Sequence, residues 1–204
     1  MTGPSSAHPP ALGDPNHGRP IRFAVVDIET SGLSIRRHRI LQIAVVIVEN
    51  GEIVDEWSSL IGLRWRFQRI GPRRLHGIGR RDLRTAPPIA EVLAEFARRV
   101  DGCVVTAHNI RFDWTFLERA AHDAGVALPA GPRLCTLRAS RRLDPGRTLS
   151  HRLTDVCARY GITNDRPHDA LHDARATAAL LPHLLRAHGI DRPDAAPDAL
   201  YERR

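Results

Sequence analysis

The run Phe23-Ala24-Val25-Val26-Asp27-Ile28-Glu29 sets two carboxylates at the end of a stretch that is otherwise apolar from Phe23. Such a run reads as a strand over Ile21 to Ile28 buried on both faces, which demands a sheet covered on each side. Side chains alternate across a strand, so Asp27 and Glu29 leave the same face at its C-terminal end. Carboxylates in apolar surroundings are costly unless a cation or a set of donors compensates them. A solvated strand end would also accommodate Asp-x-Glu, so the other acids of the chain must decide between the two.

The elements around that strand can be read in order. Ile40 to Val48 and Ile53 to Leu60 form two more strands, with Asn50-Gly51 supplying the positive φ of a tight hairpin turn. After Pro87-Pro88, the residues Ile89, Val92, Leu93, Phe96, Ala97 and Val100 recur at helical spacing up to Asp101-Gly102. A short strand, Cys103 to Ala107, precedes a helix that carries Trp114, Phe116, Leu117, Ala120 and Ala121 and ends near Gly125. Shorter helices are expected at Thr136 to Arg142 and His151 to Tyr160, then a long one from about Asp169 to Ala187, stopped by Gly189. Hairpin strands followed by alternating helix and strand make an α/β fold, a mixed sheet with helices on its faces.

At 204 residues the chain suits a single such domain. By composition, residues 1–20 read as a disordered arm, 21–190 as the folded unit and 191–204 as a flexible tail. No apolar run is long enough to span a bilayer. Cys103, Cys135 and Cys157 lack metal-ligand spacing and read as buried free thiols, so a soluble cytoplasmic protein is expected. The net charge is +7 and all 30 basic residues are Arg. The total absence of Lys fits a GC-rich genome, so the charge permits a polyanionic partner without demanding one.

Two further acids bear on chemistry. Asp113 closes His108-Asn109-Ile110-Arg111-Phe112-Asp113 and falls in the first turn of a helix, where the helix dipole alone would also favour a carboxylate. Asp173 follows His168 by five residues at the start of the last helix. With Asp27 and Glu29 these give four carboxylates and an imidazole. Holding two hard cations about 4 Å apart requires convergent carboxylates of this kind.

Asp27-Ile28-Glu29-Thr30-Ser31-Gly32, His108 to Asp113 and His168-Asp169-Ala170-Leu171-His172-Asp173-Ala174 resemble the three motifs of the DEDDh exonucleases, among them the proofreading ε subunits of bacterial DNA polymerase III. Ile40-Leu41-Gln42-Ile43-Ala44, Leu75-His76-Gly77-Ile78, Cys135-Thr136-Leu137 and Leu153 to Ile162 also match, so the resemblance spans residues 21 to 187. It implies a ribonuclease H-like fold, a mixed five-stranded sheet with helices on both faces, and metal-dependent 3′-to-5′ hydrolysis of single-stranded or frayed ends, with DNA the expected substrate. By motif position, Asp27, Glu29, Asp113 and Asp173 would hold two Mg²⁺ or Mn²⁺ ions and His168 would be the general base. Thr30, Gly32, Leu33, His76, Asn109 and Phe112 would contact the substrate. Gly79 replaces a frequent Thr and Arg39 a frequent acid, which bears on substrate preference. The resemblance allows a DNA polymerase III partner, yet no clamp- or polymerase-binding tail follows Gly189.

Three rival readings carry distinct signatures. A silent nucleic-acid-binding module should lack one of the five groups, an RNA-trimming enzyme should prefer ribose, and a small-molecule phosphodiesterase should ignore oligonucleotides. A final segment, Arg64-Trp65-Arg66-Phe67-Gln68-Arg69, interleaves cations with aromatics in the way single strands are bound, although inward packing of Trp65 and Phe67 would produce the same pattern. If strands one and three both pair antiparallel with strand two, this segment leaves the sheet at the edge where Asp27 and Glu29 lie.

Overall fold

In the computed structural model, which describes residues 21–190 and Leu200, five strands form one sheet in the order β3-β2-β1-β4-β5. β1 (Arg22–Thr30) pairs antiparallel with β2 (Ile40–Glu49), and β2 pairs antiparallel with β3 (Glu52–Leu60). On its other side β1 runs parallel to β4 (Val104–Ala107), which runs parallel to β5 (Arg133–Cys135). The turn between β2 and β3 takes positive φ at Asn50 and Gly51, as its sequence requires. The arm and the tail expected at the termini lie outside the described residues, apart from Leu200, which is buried in one of the two cores.

Alternation along the strands divides the interior in two. Ala24, Val26 and Ile28 of β1 join Ile43, Val45 and Ile47 of β2 beneath the helices α3 (Ile89–Val100) and α4 (Ile110–Ala124). On the opposite face, Phe23, Val25, Ala44 and Val46 pack against α5 (Thr136–Arg142), α6 (Leu153–Arg159) and α7 (Ala170–Ala187). Each face buries its own apolar set, so β1 can be buried on both sides, as its sequence demands. The three cysteines are buried free thiols. No helix among the described residues is long and apolar enough to cross a membrane.

Three elements have no clear signal in the sequence. β5 is only three residues long, and α1 (Arg73–His76) and α2 (Arg80–Leu83) are single turns of four. Segments this short show no periodicity; neighbours rather than pattern hold them in place. β1 also continues two residues beyond the expected end at Ile28, so Glu29 lies inside the ladder opposite Gln42, just before a register shift at Thr30.

Candidate active site

β1, β4 and β5 are parallel and end at the same edge of the sheet. The acids singled out above gather at this edge, on a strand and two helices. Asp27 and Glu29 end β1, Asp113 occupies the first turn of α4 after β4, and Asp173 lies in the first turn of α7. The Asp27 carboxyl is pushed well above its ordinary range, first by burial and then by the charges of Asp113, Asp173, Glu29 and Asp169. Acids from β1, α4 and α7 thus share one field. Burial, followed by Asp173, Asp169 and Asp113, raises Glu29 to about 8. Burial raises Asp113 to about 8, against the opposing pull of its own backbone N–H and that of Ile28.

Asp173 is held from two sides. The Asn164 amide donates to its Oδ1 at 2.5 Å, and the backbone N–H of His168 donates to its Oδ2 at 3.0 Å. Its carboxyl is still raised, by burial first, although both bonds oppose the shift. The ring of His168 comes close as well: one ligand atom from each of Glu29, His168 and Asp173 lies within 4.8 Å of the others. His168 is exposed and takes φ 68°, a left-handed conformation uncommon for a residue with a side chain. Asn109, with φ 76°, adopts the same conformation at the start of α4. Two strained non-glycine residues at one site are a pattern associated with function.

Several further side chains support the acids. Gln42, facing Glu29 across the ladder, accepts the backbone N–H of Ala170 through Oε1 at 3.3 Å and so fastens the start of α7 to the sheet. Asp169 caps α7 by accepting from the N–H groups of Leu171 and His172, and its carboxylate bonds His172 Nδ1 at 3.1 Å. Arg175 binds Glu56 on β3 through two contacts, of 2.9 and 2.5 Å, tying α7 across the sheet. Gln42 lies in a segment that matches the family and Asn164 nine residues before Asp173, but both are uncharged, and their hydrogen bonds are not legible from the chain alone.

The six expected substrate contacts fall into different surroundings. Leu33 is 83% exposed beside the end of β1. Gly32 lies under the His38 ring, where a Cβ would fall 2.6 Å from a ring carbon. Thr30 Oγ1 donates to the Gly32 carbonyl at 2.9 Å. Asn109 is exposed, and Phe112 is half-buried against Phe116, ring centroids 5.0 Å apart. His76 differs from the rest. It is buried, with Nε2 donating to the Ile70 carbonyl at 2.9 Å and Nδ1 accepting from the Ile78 N–H at 3.1 Å, so both ring nitrogens are committed to shaping the loop. Gly79 caps α2, its N–H donating to Asp82 at 2.7 Å.

The Arg64 to Arg69 segment leaves β3 at the catalytic edge, because Glu29, Gln42 and Leu60 share one row across three strands. It is a fixed turn. Gln68 Oε1 accepts the Arg64 N–H at 2.9 Å, and the Arg80 guanidinium donates to the carbonyls of Arg66 and Gln68 at 2.7 and 2.6 Å. Gly71 brings its far end against the loop after β1, so close that a Cβ would lie 2.6 Å from the Ser31 carbonyl oxygen. Phe67 is 77% exposed and Trp65 is 47% exposed, which rules out inward packing for Phe67.

A family model described as Exonuclease matches residues 24–181. The 3′-5′ exonuclease DinG of Bacillus subtilis (strain 168) is 33% identical over 165 residues, covering 80% of this chain but 18% of that protein. The PolC-type DNA polymerase III of Halalkalibacterium halodurans is covered over only 11% of its length. DNA polymerase III subunit epsilon of Aquifex aeolicus (strain VF5) is 30% identical over 164 residues, 80% of each chain. Among solved structures, exonuclease X in complex with 5′ overhanging duplex DNA superposes with a TM-score of 0.63 at 27% identity, over 83% of this chain and 93% of that one.

Proposed function

Because the chain belongs to the exonuclease family, whose DEDDh residue pattern it carries in full, we propose that it hydrolyses nucleic acid from the 3′ end, releasing nucleoside 5′-monophosphates. The observation that carries this reading is the convergence of Asp27, Glu29, Asp113 and Asp173 from three elements into one buried field, with the His168 ring at its rim. Similarity to the epsilon subunit and to exonuclease X supports DNA as the substrate. The epsilon similarity also supports association with DNA polymerase III, and the buried free thiols support a cytoplasmic location.

The residues fit a pair of hard divalent cations. All four acids offer oxygen donors, and their carboxyls are raised because burial and mutual repulsion oppose ionisation without a compensating charge. Asp27, central in the field, would serve both ions, Glu29 and Asp173 one of them, and Asp113 the other. Bound Mg²⁺ or Mn²⁺ supplies acidification of the attacking water and neutralisation of charge on the phosphate and the leaving 3′ oxygen. His168 takes the proton from that water, a task an imidazole performs well near neutral pH. Asn164 and the His168 backbone orient Asp173, and Gln42 sets the start of the helix that carries it.

Substrate is guided by the surface beside the acids. Leu33 and Phe67 present apolar faces for base stacking, and Arg66 and Arg69 present charge for phosphates. Arg66 already stacks its guanidinium over the Phe67 ring, 5.4 Å from the centroid. The deciding assay follows end-labelled single-stranded DNA, mismatched duplex and RNA with Mg²⁺, Mn²⁺ or EDTA. Shortening from the 3′ end that depends on metal is the expected result; an intact oligonucleotide alongside a cleaved small phosphodiester would overturn the reading.

A further inference from the structure

A second basic site is lined by none of the four acids. Between the C-terminal end of α5 and the loop that follows is a cavity of about 600 Å³ lined by Arg138, Arg141, Arg142, Asp144, Arg147 and His151. Its volume is in the range of pockets that bind small ligands. We propose that this cavity binds the phosphate of a nucleotide, carried either by the substrate strand or by the released monophosphate.

Among the described residues the lining carries four guanidinium groups, of which those of Arg138 and Arg142 have interactions of their own, and one carboxylate that is already committed. Asp144 Oδ1 accepts from the N–H and the hydroxyl of Thr148, both at 3.2 Å. Its Oδ2 accepts the Leu149 N–H at 2.9 Å and His151 Nε2 at 3.2 Å. With its lone pairs taken up by this loop, Asp144 organises the floor instead of neutralising the rim. Among the described residues, the Arg141 and Arg147 guanidinium groups have no hydrogen bond or ion pair, and Arg138 and Arg142 complete the wall. Arg forks suit phosphate because two parallel N–H donors match two of its oxygens.

The site is preformed. His151 Nδ1 bonds the Ser140 hydroxyl at 2.8 Å, Ser140 Oγ accepts from Arg159 at 3.2 Å, and Arg159 also holds the Ser150 carbonyl at 2.6 Å. Arg147 sits at φ 53°, a left-handed conformation that costs energy for a residue with a Cβ and is kept where the surroundings impose it. The cavity is also coupled to the catalytic edge. The His151 carbonyl accepts His108 Nε2 at 2.9 Å, and His108 directly precedes Asn109 at the start of the helix that bears Asp113.

That the occupant is a nucleotide rests on the exonuclease reading; that it is a phosphate rests on the cavity alone. The test is calorimetric titration in EDTA, where no metal ion can draw phosphate to the acid cluster, using a nucleoside 5′-monophosphate, inorganic phosphate and a single-stranded oligonucleotide in separate arms. The wild type should bind, and Arg141→Ala with Arg147→Ala should weaken binding by at least about tenfold, the loss expected for charge-assisted bonds. Loss confined to the oligonucleotide arm assigns the site to the strand, and loss in the monophosphate arm assigns it to the product. Equal affinity of wild type and double variant in every arm, with matching thermal melts, would overturn the proposal. Absence of wild-type cleavage in the labelled assay would instead sink the exonuclease reading and leave the monophosphate result standing.

Discussion

Asn164 donates its side-chain amide to Asp173 at 2.5 Å, and its own Oδ1 is buried with no hydrogen-bond partner among the described residues. The amide is thus held in place by Asp173 rather than by a network of its own. Groups that orient metal ligands in this way are typically worth about 10- to 100-fold in metal affinity or activity. Asn164→Ala should lower Mn²⁺ affinity by a factor in that range, measured by calorimetry with melting temperature as a control for folding. An affinity equal to wild type would make Asn164 a structural spacer.

Asp27→Ala and Asp173→Ala should reduce turnover to background at saturating metal, because each removes a carboxylate that would hold the metal pair. Either variant turning over at the wild-type rate would rule out its place in the acid site.

His168→Ala should lower kcat by about 10²- to 10⁴-fold, the usual contribution of a general base, while Mn²⁺ affinity is largely retained. His168 also lies within ligand distance of Glu29 and Asp173, so calorimetry decides its role. An affinity loss as large as that of Asp173→Ala would make it a ligand.

Without metal, the acid site makes stability depend on pH. Glu29 rises from 4.5 to about 8 on folding, so between those values the folded protein retains a proton that the unfolded chain has released. Stability is full below about pH 4.5 and falls as pH rises toward 8, with Asp113 acting in the same direction. Thermal melts in EDTA should therefore decline from pH 5 to pH 8, Mn²⁺ should reverse the decline with release of protons, and Glu29→Gln should flatten it. A melting temperature that climbs across this window in EDTA would contradict the raised carboxyls.

The Arg64 to Arg69 turn should govern affinity rather than turnover. Each lost contact to a single-strand phosphate reduces the slope of log affinity against log salt by about 0.7, so Arg66→Ala with Arg69→Ala should flatten it by about 1.4. Binding is measured in Ca²⁺ to suppress cleavage. Parallel salt plots for wild type and variant would mean that the strand enters elsewhere.

The sequence made the catalytic edge legible because its acids stand out against apolar neighbours: Asp27 and Glu29 interrupt a buried strand, and Asp113 and Asp173 open two strongly patterned helices. The hairpin was legible for a similar reason, since Asn50-Gly51 dictates backbone geometry directly. What remained hidden depends on partners distant in the chain. Gln42 lies in a segment that matches the family, but its bond to Ala170, 128 residues on, is not written in the pattern. His76, part of a family motif, gave no sign that both its nitrogens would be taken by the backbone. β5 is three residues long, and only its place beside β4 makes it a strand.

The Asn50-Gly51 turn lies at the end of the sheet opposite Glu29, with the length of β2 between them. The molecule therefore has an inert pole, where a reporter peptide or an affinity handle could be spliced into an exposed tight turn while the acids stay in register. Immobilised through that loop, the protein would face its substrate with the catalytic edge outward, and single molecules could be watched shortening a tethered strand.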